Sequence, residues 1–366
     1  MNGDTVGQLI LTGVPGLELD SDTAALFRRV QPGGYILFGR NIQSAGQLRK
    51  LIDDLRDLSE IEPIITIDQE GGRVSRLRLI GNEPPNAQQL RDRNDVALVG
   101  RHGEITGQLL RIFGFNLDLC PVLDISFDDE ADNSLRGRCY GKTVEQVVRM
   151  AGAFNDALRE QGILSCGKHF PGYSAARVDA HHDLPKIERT REELDEQELA
   201  VFRHFVPTVE SMMICHGWYP CFNAEQRPAS LSREIVTNLL RNGFHFDGLI
   251  MTDDLDMNTI LNEYGLEETI RLAIEAGNDL AMICHRVPSI DEVHRTLAKL
   301  PAGQIERALD SVARTKTKLQ APHSFSESAF KKIDGSIWDL RVAVLGEEEA
   351  AMRSPEDGKR SPVETY

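Results

Sequence analysis

The chain contains no apolar run long enough to cross a bilayer. Its first residues, MNGDTVGQLILTGVPG, carry no basic segment followed by a long apolar one, so a secretory signal is not expected. Positive charge is also in short supply: 41 Lys and Arg stand against 57 Asp and Glu, a net charge of −16. A general nucleic-acid binder needs a basic face to displace counterions, and an anionic membrane surface repels a chain of this sign. Neither partner is expected. The six cysteines, at 120, 139, 166, 215, 221 and 284, form no CxxC pair, which leaves a zinc ribbon or a thioredoxin-type motif without support. Several sit inside apolar strand-like runs and read as reduced, buried thiols of a cytoplasmic protein. No GxGxxG follows the first strand-like run, so the dinucleotide-binding fingerprint is missing. No His-x-His ends that run either, where metal-dependent barrel hydrolases commonly place one.

What is present is a regular alternation. Eight short apolar runs (QLILTGV, GYILFGR, PIITIDQE, LDLCPVLDI, LSCGKHF, SMMICHGWYP, GLIMTDDL and DLAMICH) begin near residues 8, 34, 63, 117, 164, 211, 248 and 279. Amphipathic stretches separate most of them. SAGQLRKLIDDLRDLS has Ser44 as N-cap and apolar residues at helical spacing, and VEQVVRMAGAFNDALREQG, SREIVTNLLRNGF and GLEETIRLAIEAG repeat the pattern, the last three ending near Gly. Strands alternating with helices imply a parallel sheet, and eight repeats imply a single (β/α)8 TIM-type barrel, with an open doubly wound sheet as the alternative. At 366 residues with 41% apolar content, one large core suffices. We assign residues 1–320 to the barrel and 321–366 to a C-terminal extension of helix and polar tail. Trp338, with Val342, Val344 and Leu345, is expected to pack that helix on the barrel.

Ionisable or strongly hydrogen-bonding residues gather at the C-terminal ends of the apolar runs: Arg40 and Asn41, Asp68 and Glu70, Asp124, Lys168 and His169, His216, Asp253 and Asp254, His285. In a (β/α)8 barrel those ends form the face that carries chemistry. Asp253 follows a run that reads as a buried strand, so its carboxylate belongs at the barrel mouth, where it can bind metal, act as a base or attack carbon. Asp254 and Asp256 read as helix-start or supporting residues. In IDQEGGRVSRL, two carboxylates and two arginines surround a Gly71-Gly72 turn, and suit either recognition of a polyol or an internal ion-pair network. GKHFPGYSAARVDAHHDLP is the densest stretch. Lys168 and His169 end a strand, Pro171 and Gly172 break away, and Asp179 precedes His181 by two residues. An aspartate so placed can hold an imidazole by one nitrogen and leave the other free for general acid/base work. A metal site and a purely structural loop are the competing readings.

Together IDQEGGRVSRL, CPVLDI, KHFPG…VDAHHDLP, PASLS and FDGLIMTDDLDM resemble glycoside hydrolase family 3, in the family's order from about residue 7 to about 315, and within it the bacterial β-N-acetylglucosaminidases of the NagZ type. The resemblance implies a single barrel and a retaining mechanism with no metal or other cofactor. By position in the motifs it implies Asp253 as nucleophile and His181 as acid/base, paired with Asp179. Asp68, Arg76, Arg138, Lys168 and His169 match residues that hold the sugar. The implied substrate is a terminal N-acetylglucosamine glycoside, with peptidoglycan fragments (muropeptides) as its source, and the implied assembly a monomer or homodimer. The sequence departs from the family at Tyr173-Ser174-Ala175, where a second His and Gly-Asp are common, at Ala180, and at Gln69. A β-glycoside phosphorylase, a catalytically impaired sugar-binding homologue and a metal-dependent barrel hydrolase are the alternatives.

Overall fold

The computed structural model describes residues 3–130, 134–174 and 184–354. Eight parallel strands close into a barrel: β1 (Ile10–Gly13), β2 (Gly34–Leu37), β3 (Ile64–Ile67), β4 (Leu117–Asp118), β5 (Leu164–Phe170), β6 (Ser211–Ile214), β7 (Leu249–Asp254) and β8 (Leu280–Ile283). Each starts within two residues of its sequence expectation. The ladder follows chain order, and β1 closes the ring on β8 with Ile10 opposite Ala281. Nearly every strand residue is buried, as parallel strands covered by helices require.

The helices form where capping and periodicity agree. Ser44 accepts from the Gln47 N–H at the start of Ala45–Leu58, and the inward stripe is Leu48, Leu51, Ile52 and Leu55. Val144–Glu160 is capped by Thr143, and Leu266–Ala276 ends at Gly277 with φ 116°. Glu234–Gly243 is helical as expected but wound as a π-helix.

Two expectations on strands need correction. LDLCPVLDI is not one continuous strand, because Pro121 has no N–H to give the ladder. Regular register with β5 ends at Asp118; the Cys166 N–H then reaches the Cys120 carbonyl at 2.7 Å, and Val122 forms a single bridge to Lys168. The Gly71-Gly72 turn, in addition, closes a small antiparallel hairpin, Gln69–Gly71 with Val74–Ser75, that stands on the end of β3.

The N-terminal end of the barrel is tied by buried carboxylates. Asp279 accepts from Arg241, the Ile250 N–H and Ser311, and Glu210 accepts from Arg159 and from both the N–H and hydroxyl of Ser165. Beyond the last barrel helix, Ala302–Lys316, the chain forms the helix Glu327–Leu345 and a short turn, Glu347–Ala350. The long helix buries Phe330, Ile337, Leu340, Arg341 and Val344 and packs mainly on Val96–Phe113, with Phe330 edge-on to Phe113. Trp338 sits one residue, about 100° of helix rotation, off that stripe. It is 37% exposed and does not do the packing.

Candidate active site

Six of the residues singled out in the sequence meet in one buried network at the C-terminal mouth of the barrel. Lys168, on β5 and 1% exposed, donates to Asp68 Oδ1 at 2.7 Å and lies 2.7 Å from Glu70 Oε1. Glu70 in turn is gripped by Arg138 through both Nε and Nη2, each at 2.7 Å. Arg138 Nη2 lies 3.4 Å from His169 Nε2, and Arg76 Nη2 lies 3.4 Å from Asp68 Oδ2. Arg73 donates to the Ser134 carbonyl at 2.7 Å. The hairpin supplies this geometry. Gly71 and Gly72 have φ of 112° and 55°, and a Cβ on Gly71 would stand 2.3 Å from the Pro85 carbonyl oxygen, so only glycine lets the two arms fold back here.

Ionisation inside the network is mutual. Burial alone would raise the Glu70 carboxyl, but Arg138 and Lys168 hold it far below the usual carboxylate range. Asp68 is lowered in the same way, Lys168 and Arg76 overcoming its burial. Burial would strip the proton from Lys168, and the two carboxylates reverse that, raising its pKa. Ion pairs this deeply buried seldom repay their desolvation cost as stability. Their concentration at the C-terminal mouth of the barrel makes it the candidate functional site.

His169 is fixed from behind by Asp124, whose Oδ2 accepts from the ring Nδ1 at 2.7 Å and from the His169 N–H at 3.1 Å. The other oxygen accepts from the Tyr173 N–H at 2.6 Å. Arginine can only donate, so His169 carries its hydrogen on Nδ1 and shows Arg138 a lone pair on Nε2. The Lys168–His169 and Phe170–Pro171 peptide bonds are both cis.

Asp253 stands half-buried at the end of β7, two strands from Lys168 in the ring, with its Oδ1 taking the Asp254 N–H at 2.8 Å. Its neighbours brace strand ends and do not begin a helix. Asp254 Oδ1 accepts from the N–H groups of Cys284 and Asp256, and Asp256 Oδ2 from those of His285 and Arg286. Burial and the adjacent Asp256 raise the Asp254 carboxyl well above its ordinary value. His216 donates from Nε2 to the Asp254 carbonyl at 2.8 Å and accepts at Nδ1 from the Ser230 hydroxyl at 2.7 Å. Arg40 donates to His285 Nδ1 at 3.0 Å and to the Val14 and Cys284 carbonyls, locking the mouth between β1 and β8. Asp179 and His181 lie outside the described residues, as do His182 and Asp183.

Three buried acids were not assigned a role from sequence. Glu70 bridges Lys168 and Arg138; its place beside Asp68 was the available signal. Asp124 orients His169; its place at the end of CPVLDI was visible, its partner was not. Asp118, on β4, accepts the Gln69 N–H with one oxygen, and burial pushes its carboxyl up to about 8, although that hydrogen bond and Lys168 pull the other way. Among the described residues no three His, Cys, Asp or Glu side chains converge in a way that could hold a metal ion. Five cysteines are buried as free thiols, and Cys221 is exposed.

Comparison with known proteins follows the same outline. The model of the glycosyl hydrolase family 3 N terminal domain matches residues 3–315. A protein named beta-hexosaminidase from Vibrio cholerae serotype O1 (strain ATCC 39541 / Classical Ogawa 395 / O395) is 32% identical over 324 residues, 88% of this chain and 92% of that one. A glycoside hydrolase family 3 β-N-acetylglucosaminidase from Paenibacillus sp. str. FPU-7 superposes with a TM-score of 0.86 at 31% identity, covering 93% of this chain and 68% of that one. Native NagZ from Neisseria gonorrhoeae superposes with a TM-score of 0.79 at 27% identity, covering 91% and 97%.

Proposed function

The chain belongs to glycosyl hydrolase family 3, and we propose that it is an exo-acting, retaining β-N-acetylglucosaminidase that releases terminal N-acetylglucosamine from peptidoglycan fragments in the cytoplasm. The observation that carries this reading is the buried array Asp68–Lys168–Glu70–Arg138–His169 at the barrel mouth, facing the same end as Asp253. A ring of fixed donors and acceptors suits a polyhydroxylated substrate, and a half-buried carboxylate at the same end of the barrel suits attack at an anomeric carbon. In this reading residues 1–320 form the catalytic domain and 321–366 its extension.

The proposed roles follow from that placement. Asp68, Arg76, Arg138, Lys168 and His169 bind sugar hydroxyls. Their mutual ion pairs order them before substrate arrives, so little freedom is lost on binding. The Asp253 carboxylate attacks the anomeric carbon and forms a glycosyl ester. The glycosidic bond breaks, and the leaving oxygen takes a proton from His181. His181, now neutral, removes a proton from water; the resulting hydroxide oxygen attacks the same carbon and releases the Asp253 carboxylate. Two inversions give net retention. Asp179 holds the His181 ring in one tautomer and stabilises its protonated form.

The test is intact-mass analysis after mixing the protein with a 5-fluoro N-acetylglucosaminyl fluoride, followed by peptide mapping. A covalent sugar on Asp253 is the expected result. No adduct under conditions where the sugar demonstrably binds overturns the catalytic assignment and leaves a sugar-binding protein. Phosphate-dependent release of sugar 1-phosphate would replace hydrolysis by phosphorolysis.

A further inference from the structure

Residues 326–354 lie past the barrel, yet they make some of the most completely satisfied buried contacts in the molecule. Arg341 is 3% exposed. It donates to the Ala350 carbonyl at 2.9 Å, to the Met352 carbonyl, to the Glu83 carbonyl at 3.0 Å and to Glu83 Oε1 at 3.2 Å. Glu83 is equally buried and collects further donors: the Ser354 N–H at 3.1 Å and hydroxyl at 2.6 Å on Oε1, and Arg78 Nη1 at 3.0 Å on Oε2. One residue before it, Asn82 binds Asp334 through its N–H at 2.6 Å and its side-chain amide at 2.8 Å. The strap 81–86 is therefore clamped on its outer side by the C-terminal helix.

The inner side of the same strap touches the sugar-facing network from two directions. Pro84 accepts the Gly72 N–H at 2.8 Å, and the Pro85 carbonyl leaves no room for a side chain on Gly71, so the strap sets the turn whose arms carry Asp68, Glu70 and Arg76. Asn86 caps the helix Ala87–Arg93, and the Gln88 N–H in that helix reaches the Gly137 carbonyl at 3.3 Å, next to Arg138. No atom of the extension has to enter the pocket for its position to matter. Displacing Glu83 shifts both arms of the grip.

We infer that Glu83 and Arg341 are positioning residues for sugar binding, and that the C-terminal extension sets affinity for the N-acetylglucosaminyl unit by clamping the strap behind Asp68, Arg76 and Arg138. The inference rests on the proposed sugar-binding role of those three residues. It separates affinity from chemistry, because Asp253 is on β7, away from the strap. A buried charge pair broken on one side costs more than its neutral replacement, and Glu83, the partner left behind, is part of the strap.

The experiment compares wild type with Arg341→Met, Asp334→Ala and, as a control, Arg241→Met, which breaks the Asp279 pair at the opposite end of the barrel. KM and kcat are measured on nitrophenyl β-N-acetylglucosaminide, with N-acetylglucosamine binding by calorimetry and the melting temperature in parallel. The expected result is a KM and sugar Kd raised about tenfold or more in Arg341→Met, with kcat within about threefold. Asp334→Ala, which removes only the outer clamp on Asn82, shows the same split to a smaller degree and serves alone where Arg341→Met does not fold. Arg241→Met lowers the melting temperature without moving KM. Unchanged KM and Kd in the folded variants, or a fall in kcat alone, overturns the inference and leaves a purely structural extension. A wild-type protein that neither cleaves nor binds the sugar sinks the underlying functional reading, and this inference with it.

Discussion

Asp124 holds His169 twice, by the ring nitrogen at 2.7 Å and by the backbone N–H at 3.1 Å, with a single carboxylate oxygen. The other oxygen binds the Tyr173 N–H. One buried acid thus fixes the ring's tautomer, the direction of the strand end and the first step of the loop that leaves it.

Asp124→Asn keeps the shape but turns one acceptor oxygen into an amide that faces a donor. Charge-assisted hydrogen bonds are worth about 1.5–3 kcal/mol, so kcat/KM on an N-acetylglucosaminide is expected to fall roughly 10- to 100-fold. Asp128→Asn, an exposed change four residues on, should leave it unaltered. Equal kinetics for Asp124→Asn and wild type would remove His169 from the sugar site.

Asp118 is a stability liability that grows with pH. Its carboxyl sits at about 8 in the folded chain against an ordinary 3.8, raised chiefly by burial. The folded state then holds a proton that the unfolded state has lost, so stability falls as pH rises from about 4 to about 8. Asp118→Asn retains the oxygen that accepts the Gln69 N–H and has no proton to lose. Urea unfolding should show the variant more stable than wild type by a few kcal/mol at pH 8, with the difference vanishing near pH 4. A difference that does not change with pH would contradict the assignment.

His102 acts in the opposite direction. It is buried against Phe154, neither ring nitrogen has a hydrogen-bond partner among the described residues, and burial pulls it down to about 4. The unfolded chain binds the proton first as pH drops below about 6.5, so the folded state loses up to about 3 kcal/mol between pH 6.5 and 4. His102→Phe should flatten that acid slope in unfolding curves at pH 7, 5.5 and 4. A variant with the wild-type slope would place the acid sensitivity elsewhere.

The two faces of the C-terminal helix differ sharply. Leu340 is fully buried and Trp338 is exposed. Leu340→Ala is expected to cost about 2–5 kcal/mol and Trp338→Ser no more than about 0.5. Comparable losses in thermal or denaturant unfolding would mean that Trp338 is covered in solution, by a second copy of the chain.

The eight barrel strands and their spacing were legible because burial on both faces leaves mostly apolar residues in each run, and the helices between them keep a 3.6-residue period. The residues at the mouth were legible for a related reason: a parallel barrel places every strand's C-terminal end on one face, so local position alone predicts that Asp68, Lys168, His169 and Asp253 share it. The motif resemblance chose Arg76 over Arg73 and added Arg138. What the sequence could not contain was pairing. Glu70 with Arg138, Asp124 with His169, Arg40 with His285 and Glu83 with Arg341 join residues 45 to 258 positions apart. Ring closure and the packing of the last helix brought them together. The same holds for charge state. Asp68 and Asp118 are the same side chain, both buried: Lys168 and Arg76 overcome burial at the first and keep it ionised, whereas at the second burial outweighs the Gln69 N–H and Lys168 and keeps it protonated.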